Sequence, residues 1–177
     1  MKTSMALTLL STSLATAAQS YFGVVADRSG SAIQYMTMNA GAGRIYLGGA
    51  PMTSCPDNIA AAGGCPADNS TNFMLGEAGQ LEMGVDVPGG QTAYFTACGE
   101  LSYTVPHAND IPEDATVTGW TMTPGASFGS LSYTEGLTAC QDGDVYYVYS
   151  GDARPDCLSF NALTVADDAP AAWEYTY

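Results

Sequence analysis

Ala42-Gly43-Arg44-Ile45-Tyr46-Leu47-Gly48 decides the fold, because its design returns as Ala78-Gly79-Gln80-Leu81-Glu82-Met83-Gly84, Cys98-Gly99-Glu100-Leu101-Ser102-Tyr103-Thr104 and Phe128-Gly129-Ser130-Leu131-Ser132-Tyr133-Thr134. In each, a glycine supplies a tight turn and an x-apolar-x-apolar run puts an aliphatic and a larger side chain on one face of a strand. Each segment therefore reads as the return strand of a hairpin. Working outward, apolar and aromatic residues alternate with small polar ones at the period of a sheet with one buried face. The expected strands are Tyr21 to Ala26, Ala32 to Met38, Arg44 to Gly48, Asn72 to Leu75, Gln80 to Gly84, Thr92 to Thr96, Glu100 to Val105, Thr118 to Thr123, Ser130 to Thr134, Val145 to Ser150, Leu158 to Val165 and Ala172 to Thr176. Gly, Pro, Asn and Asp clusters between them supply turns. One short helix is expected at Asn58 to Ala62, stopped by Gly63-Gly64.

About a dozen short strands in about 160 residues predict an all-β protein, a single compact β-barrel that leaves few exposed edges. A trefoil-like barrel is one form of this; a two-sheet β-sandwich is the alternative. The echo is unevenly spaced and does not by itself establish threefold repetition.

Residues 1–17 have the three parts of a secretory signal. Lys2 gives the charge, Met5, Ala6, Leu7, Leu9, Leu10 and Leu14 an apolar stretch too short to span a bilayer, and Ala15-Thr16-Ala17 the cut site. Cleavage after Ala17 or Ala18 leaves residues 18–177 as a single β domain. No later segment reads as a membrane span or lipid anchor, so no membrane insertion is expected. The full chain carries a formal charge of −14; losing Lys2, the one lysine, takes it to −15 and leaves Arg28, Arg44 and Arg154 as the fixed cations. A nucleic acid is thereby excluded as a partner, because affinity for phosphate rests on cations. Anionic membrane surfaces are disfavoured for the same reason. Only 12% of residues are charged, so the polar surface is built mainly from neutral hydrogen-bonding side chains.

Exported cysteines read as a disulfide framework, since the chain holds no C-x-x-C pair and His107 is its one histidine. The preferred pairs are Cys55 with Cys65, around a Gly/Ala/Pro-rich loop, and Cys140 with Cys157, around the Tyr146 to Tyr149 strand. A Cys55 to Cys98 bridge stays open. In the preferred scheme Cys98 is a buried free thiol. Asn69-Ser70-Thr71 is a glycosylation sequon in a stretch of turn residues, which makes Asn69 the expected carrier.

Tyr21-Phe22-Gly23-Val24-Val25-Ala26 followed by Ser29-Gly30-Ser31-Ala32-Ile33-Gln34-Tyr35, then Gly119-Trp120, Leu137-Thr138-Ala139-Cys140 and Cys157, resembles the family of the fungal cell-wall protein PhiA, whose relatives are often labelled IgE-binding proteins. The likeness runs over most of the expected mature chain, and its motifs are structural rather than catalytic. Relatives in plant-associated fungi include secreted elicitors of a hypersensitive response. The resemblance implies a secreted fungal protein, extracellular or in the cell wall, with a role as elicitor, effector or allergen at a host interface. It also supports Cys140 with Cys157. Cys65 and Cys98 depart from the pattern expected of the family, so the analogy extends to no other pair.

No catalytic residue is assigned. His107 sits in a loop-like stretch, no Gly-x-Ser-x-Gly elbow or phosphate loop is present, and nothing pairs any two of Glu77, Glu82, Glu100, Glu113, Glu135 and Glu174 for glycosidic chemistry. Asp142-Gly143-Asp144, Asp167-Asp168 and the Asp110 to Asp114 stretch read as turn carboxylates rather than a calcium loop, so no metal and no cofactor are expected. The candidate binding residues are aromatic: Trp120, Tyr147 and Trp173 are the expected sugar-stacking platforms, with neutral amides and hydroxyls for the sugar hydroxyls. The partners this points to are cell-wall polysaccharide or a host surface receptor, and the alternative to a wall or host-interface protein is an extracellular carbohydrate-binding module or carbohydrate-directed enzyme. Oligomeric state is left open.

Overall fold

The computed structural model describes residues 20–67, 70–107 and 110–177. The expected signal peptide at 1–17 and the sequon residue Asn69 lie outside them. The strands are β1 (Tyr21–Asp27), β2 (Met38–Gly41), β3 (Arg44–Leu47), β4 (Thr53–Ser54), β5 (Asn72–Leu75), β6 (Leu81–Met83), β7 (Ala93–Phe95), β8 (Leu101–Tyr103), β9 (Trp120–Thr123), β10 (Gly129–Tyr133), β11 (Leu137–Asp142), β12 (Val145–Ser150), β13 (Leu158–Asp167) and β14 (Glu174–Tyr175). A five-residue helix, α1 (Asp57–Ala61), sits between β4 and β5. Among the described residues no helix is long and apolar enough to cross a membrane.

Nine strands follow one another around a barrel in the order β6-β5-β1-β13-β11-β12-β3-β8-β7. The two ends of that path meet. Glu82 bridges Thr92, the Met83 N–H donates to the Gln91 carbonyl at 2.9 Å, and the Thr92 hydroxyl donates to the Glu82 carboxylate at 2.6 Å. A sandwich would leave free edges on both sheets, whereas this near-closure covers them. Strand β13 is long enough to serve three neighbours. It pairs with β1 along Asn161–Asp167, with β11 at Leu158–Phe160 and with β10 at Ala162–Thr164. The β9–β10 hairpin branches from the barrel at that fork.

All four echo segments are return arms of hairpins: β3 pairs with β2, β6 with β5, β8 with β7 and β10 with β9. Their same-face pairs Ile45/Leu47, Leu81/Met83, Leu101/Tyr103 and Leu131/Tyr133 are all buried. Ala42-Gly43 and Ala78-Gly79 turn with both residues at positive φ, the geometry that matches the twist of the flanking strands. Gly129 works differently. It lies inside β10, where a Cβ would stand 2.4 Å from the Thr164 hydroxyl and 2.8 Å from the Thr123 carbonyl, so it permits close approach of neighbouring strands rather than a turn.

One expected strand begins late, and one strand was not expected. Residues 32–37 do not begin a strand, because Ser31 and Gln34 bond back to Arg28 and Tyr35 turns the chain at φ 62°. Conversely, β11 has no period-two signal because Leu137 to Cys140 are buried on both faces, and a strand covered on both sides need not alternate.

Buried polar side chains tie residues 167–176 to the barrel. Asn72, fully buried, donates from Nδ2 to the Asp167 carboxylate at 2.8 Å and the Ala169 carbonyl at 2.6 Å, and accepts the Ala171 N–H on Oδ1 at 3.1 Å. Gln91, 1% exposed, donates to the Thr104 and Tyr175 carbonyls and accepts the Tyr175 N–H at 2.8 Å. The Tyr103 hydroxyl accepts the Gly43 N–H and donates to the Thr176 carbonyl. Burial pushes the Tyr103 pKa far above its ordinary value and raises that of Tyr46. A folded pKa above the unfolded one of about 10 means that this stability is present below pH 10 and is lost as pH rises through and beyond it. An alkaline titration should therefore show buried tyrosinate appearing together with loss of near-ultraviolet circular dichroism. Tyr103→Phe should lessen the alkaline slope, and an unchanged slope would count against Tyr103 as its source.

Candidate functional site

The structure does not bring the three expected stacking residues together. Trp120 is not a platform at all. It is 2% exposed, stacks on Phe95 with ring centroids 5.5 Å apart and meets Tyr133 at 5.0 Å. As the first residue of β9 it faces inward, where a large ring gains most by burial. Trp173 is half-buried in the segment that runs beside Val87, whose N–H donates to the Trp173 carbonyl.

Tyr147 stands on the outer wall, half-buried, because β12 sends Tyr146 and Val148 inward and Val145, Tyr147 and Tyr149 outward. There it joins residues that sequence reasoning missed. The Arg44 guanidinium lies over the Tyr147 ring, 3.3 Å from its centroid, and Nε of Arg44 pairs with the Glu100 carboxylate. The Tyr149 hydroxyl donates to the other Glu100 oxygen at 3.4 Å, and Tyr46 meets Tyr147 edge-on at 6.0 Å. Burial alone would lower the Arg44 pKa, but the hydrogen bond and negative charge of Glu100 outweigh it and hold the cation more firmly. Burial, then Glu100, raises the Tyr149 pKa. The Arg44 and Glu100 side chains are 34% and 23% exposed, so the pair contributes about 1 kcal/mol or less to folding. Its effect is positional: it holds the Arg44 cation over the Tyr147 ring on the outer wall. The one signal in the sequence was the scarcity of fixed cations, which made an arginine inside an echo strand unusual.

A separate groove of about 440 Å³ crosses the outer faces of β1 and β13. Its floor is Gly23, Val25 and Val165, and its walls include Thr37, Asn39, Ser70, Thr71 and Asp167. Asn39 is 4% exposed and donates from Nδ2 to Thr37 Oγ1 at 3.0 Å and the Gly49 carbonyl at 3.0 Å. Thr71, 3% exposed, accepts the Ala40 N–H at 3.0 Å.

The structure joins Cys55 to Cys65 and Cys140 to Cys157. Cys98 is free but exposed, not buried. It sits at the tip of the β7–β8 hairpin before Gly99 at φ 78°, where the tight turn projects its side chain away from the core. His107 is an exposed turn residue at φ 62° beside Gly89. Asp142 and Asp144 flank Gly143 in the exposed β11–β12 turn, and among the described residues no group of three His, Cys, Asp or Glu is placed to hold a metal ion.

The family described as PhiA-like secreted protein matches residues 22–176. A protein of Arthroderma benhamiae, described as an uncharacterized secreted protein, is 31% identical over 163 residues, which cover 81% of this chain and 80% of that relative. No solved structure matches the chain.

Proposed function

The chain belongs to the PhiA-like secreted protein family, and from that premise we propose that it is a non-catalytic protein of the fungal exterior, associated with the cell wall and recognised there by a host as an elicitor or allergen. The carrying observation is that the barrel is filled by its own side chains. Val24, Ile45, Leu47, Leu81, Leu101, Tyr103 and Val148 are all at most 2% exposed, so recognition falls to the outer wall. Near-closed pairing and two disulfides suit a protein that persists outside the cell. The test has two arms. Extraction of intact hyphae should release the protein from the wall fraction, and the folded mature protein infiltrated into leaf tissue should give a hypersensitive response that heat-unfolded protein does not. Recovery only in the medium with inert leaves would overturn the reading.

A second reading, binding of wall polysaccharide, is favoured by the Arg44–Tyr147 stack. The outward tyrosines Tyr147 and Tyr149 offer ring surface, with the Arg44 cation held over Tyr147 and Glu100 beside it to meet hydroxyls. Tyr147→Ala should weaken retention on chitin or β-glucan about fivefold, equivalent to about 1 kcal/mol of stacking. Equal retention of the variant, by a pull-down at several polysaccharide loads, would remove the second reading.

A further inference from the structure

We propose that the groove over β1 and β13 is a docking site for the first sugars of an N-linked glycan carried by Asn69. The groove's walls are neutral hydroxyl and amide side chains, Thr37, Asn39, Ser70 and Thr71, with the Asp167 carboxylate at one end. Asn39 spends its Nδ2 on Thr37 and on backbone carbonyls, which leaves Oδ1 as an acceptor on a residue that lines the groove. Thr71 Oγ1 accepts from Ala40, and its hydroxyl proton remains to donate. The floor is apolar and lies low because Gly23 has no side chain: a Cβ there would come no closer than 3.9 Å to any neighbour. Val165, 41% exposed, continues that floor. An apolar strip bordered by a few neutral donors and acceptors fits the face and hydroxyls of a sugar.

Covalent connectivity names the source of the sugar. Ser70 and Thr71 are the second and third residues of the sequon, so the acceptor Asn69 is the immediate chain neighbour of a groove wall. A glycan attached there meets the groove at high effective concentration, so even weak contacts are populated. The same geometry sets an order of events. Thr71 is 3% exposed and bonded to β2, so transfer of the glycan precedes packing of β2 against Thr71.

The test uses full-length protein secreted from a eukaryotic host. Intact mass before and after endoglycosidase treatment should show a glycan that Asn69→Gln abolishes. The glycosylated protein should melt about 2–4 °C above Asn69→Gln, the effect of about one net hydrogen bond in a domain of this size. Filling the groove by Gly23→Val, which the open space at Gly23 tolerates, should remove that difference while leaving the glycan attached; Val165→Phe does the same from the exposed side should Gly23→Val fold poorly. A bare Asn69 overturns the proposal. So does a glycan whose thermal effect persists with the groove filled. Saturable binding of free chitooligosaccharide in the groove of Asn69→Gln, with no thermal effect of the attached glycan, assigns the groove to an external sugar and likewise overturns it.

Discussion

Asn72→Ala should cost about 3 kcal/mol, a large loss for a single polar side chain. The buried amide of Asn72 makes three bonds to residues 167–171. Truncation forfeits those bonds, one of them to a carboxylate, and leaves the Ala171 N–H on the Gly84 carbonyl alone at 3.2 Å; three lost bonds of about 1 kcal/mol each set the size of the effect. The site cannot relax easily, because a Cβ at Gly84 would already stand 1.8 Å from Asn72 Oδ1; the two residues are packed backbone to side chain. Urea unfolding at neutral pH checks this: the midpoint should fall with little change in slope. A loss below 1 kcal/mol would mean that residues 167–171 are held by their backbone contacts alone.

Removing the Cys140–Cys157 bridge, by Cys140→Ala with Cys157→Ala, should cost about 2–5 kcal/mol. Its sequence separation of 17 residues gives a chain-entropy contribution of about 3 kcal/mol. It also ties β11 to the residue just before β13, the strand on which β1, β10 and β11 all depend. Cys55–Cys65 instead closes the loop that holds α1, most of which is exposed, so its loss should loosen that loop without unravelling the barrel. Thermal melts of the two paired variants test the contrast. Equal melting of wild type and the Cys140/Cys157 variant would sink the first claim.

The hairpins were legible because a glycine turn followed by alternating apolar positions is a local signal, and all four echoes landed on return arms. β11 was not legible as a strand, since burial of Thr138 and Cys140 on the outer face comes from a hydrogen bond to Gly151 and a disulfide, neither of which leaves a period in the sequence. The aromatic site was half legible. Alternation put Tyr147 outside, but composition could not distinguish it from Trp120, whose inward position depends on where β9 starts. The groove could not be read at all, because Gly23, Asn39, Thr71 and Val165 come from four distant stretches brought together by the pairing of β1 with β5 and β13, the Val25–Thr37 bridge and the Ala40–Thr71 hydrogen bond.

The pairing of β1 with β13, from Tyr21 with Asp167 to Asp27 with Asn161, spans nearly the whole described chain. During synthesis the β13 edge of β1 has no partner until almost everything else has been translated, and a pairing of such long range slows folding. The same long-range seam makes escape from the native state slow if it forms late in folding, and a protein that opens rarely is a poor substrate for proteases in spent medium.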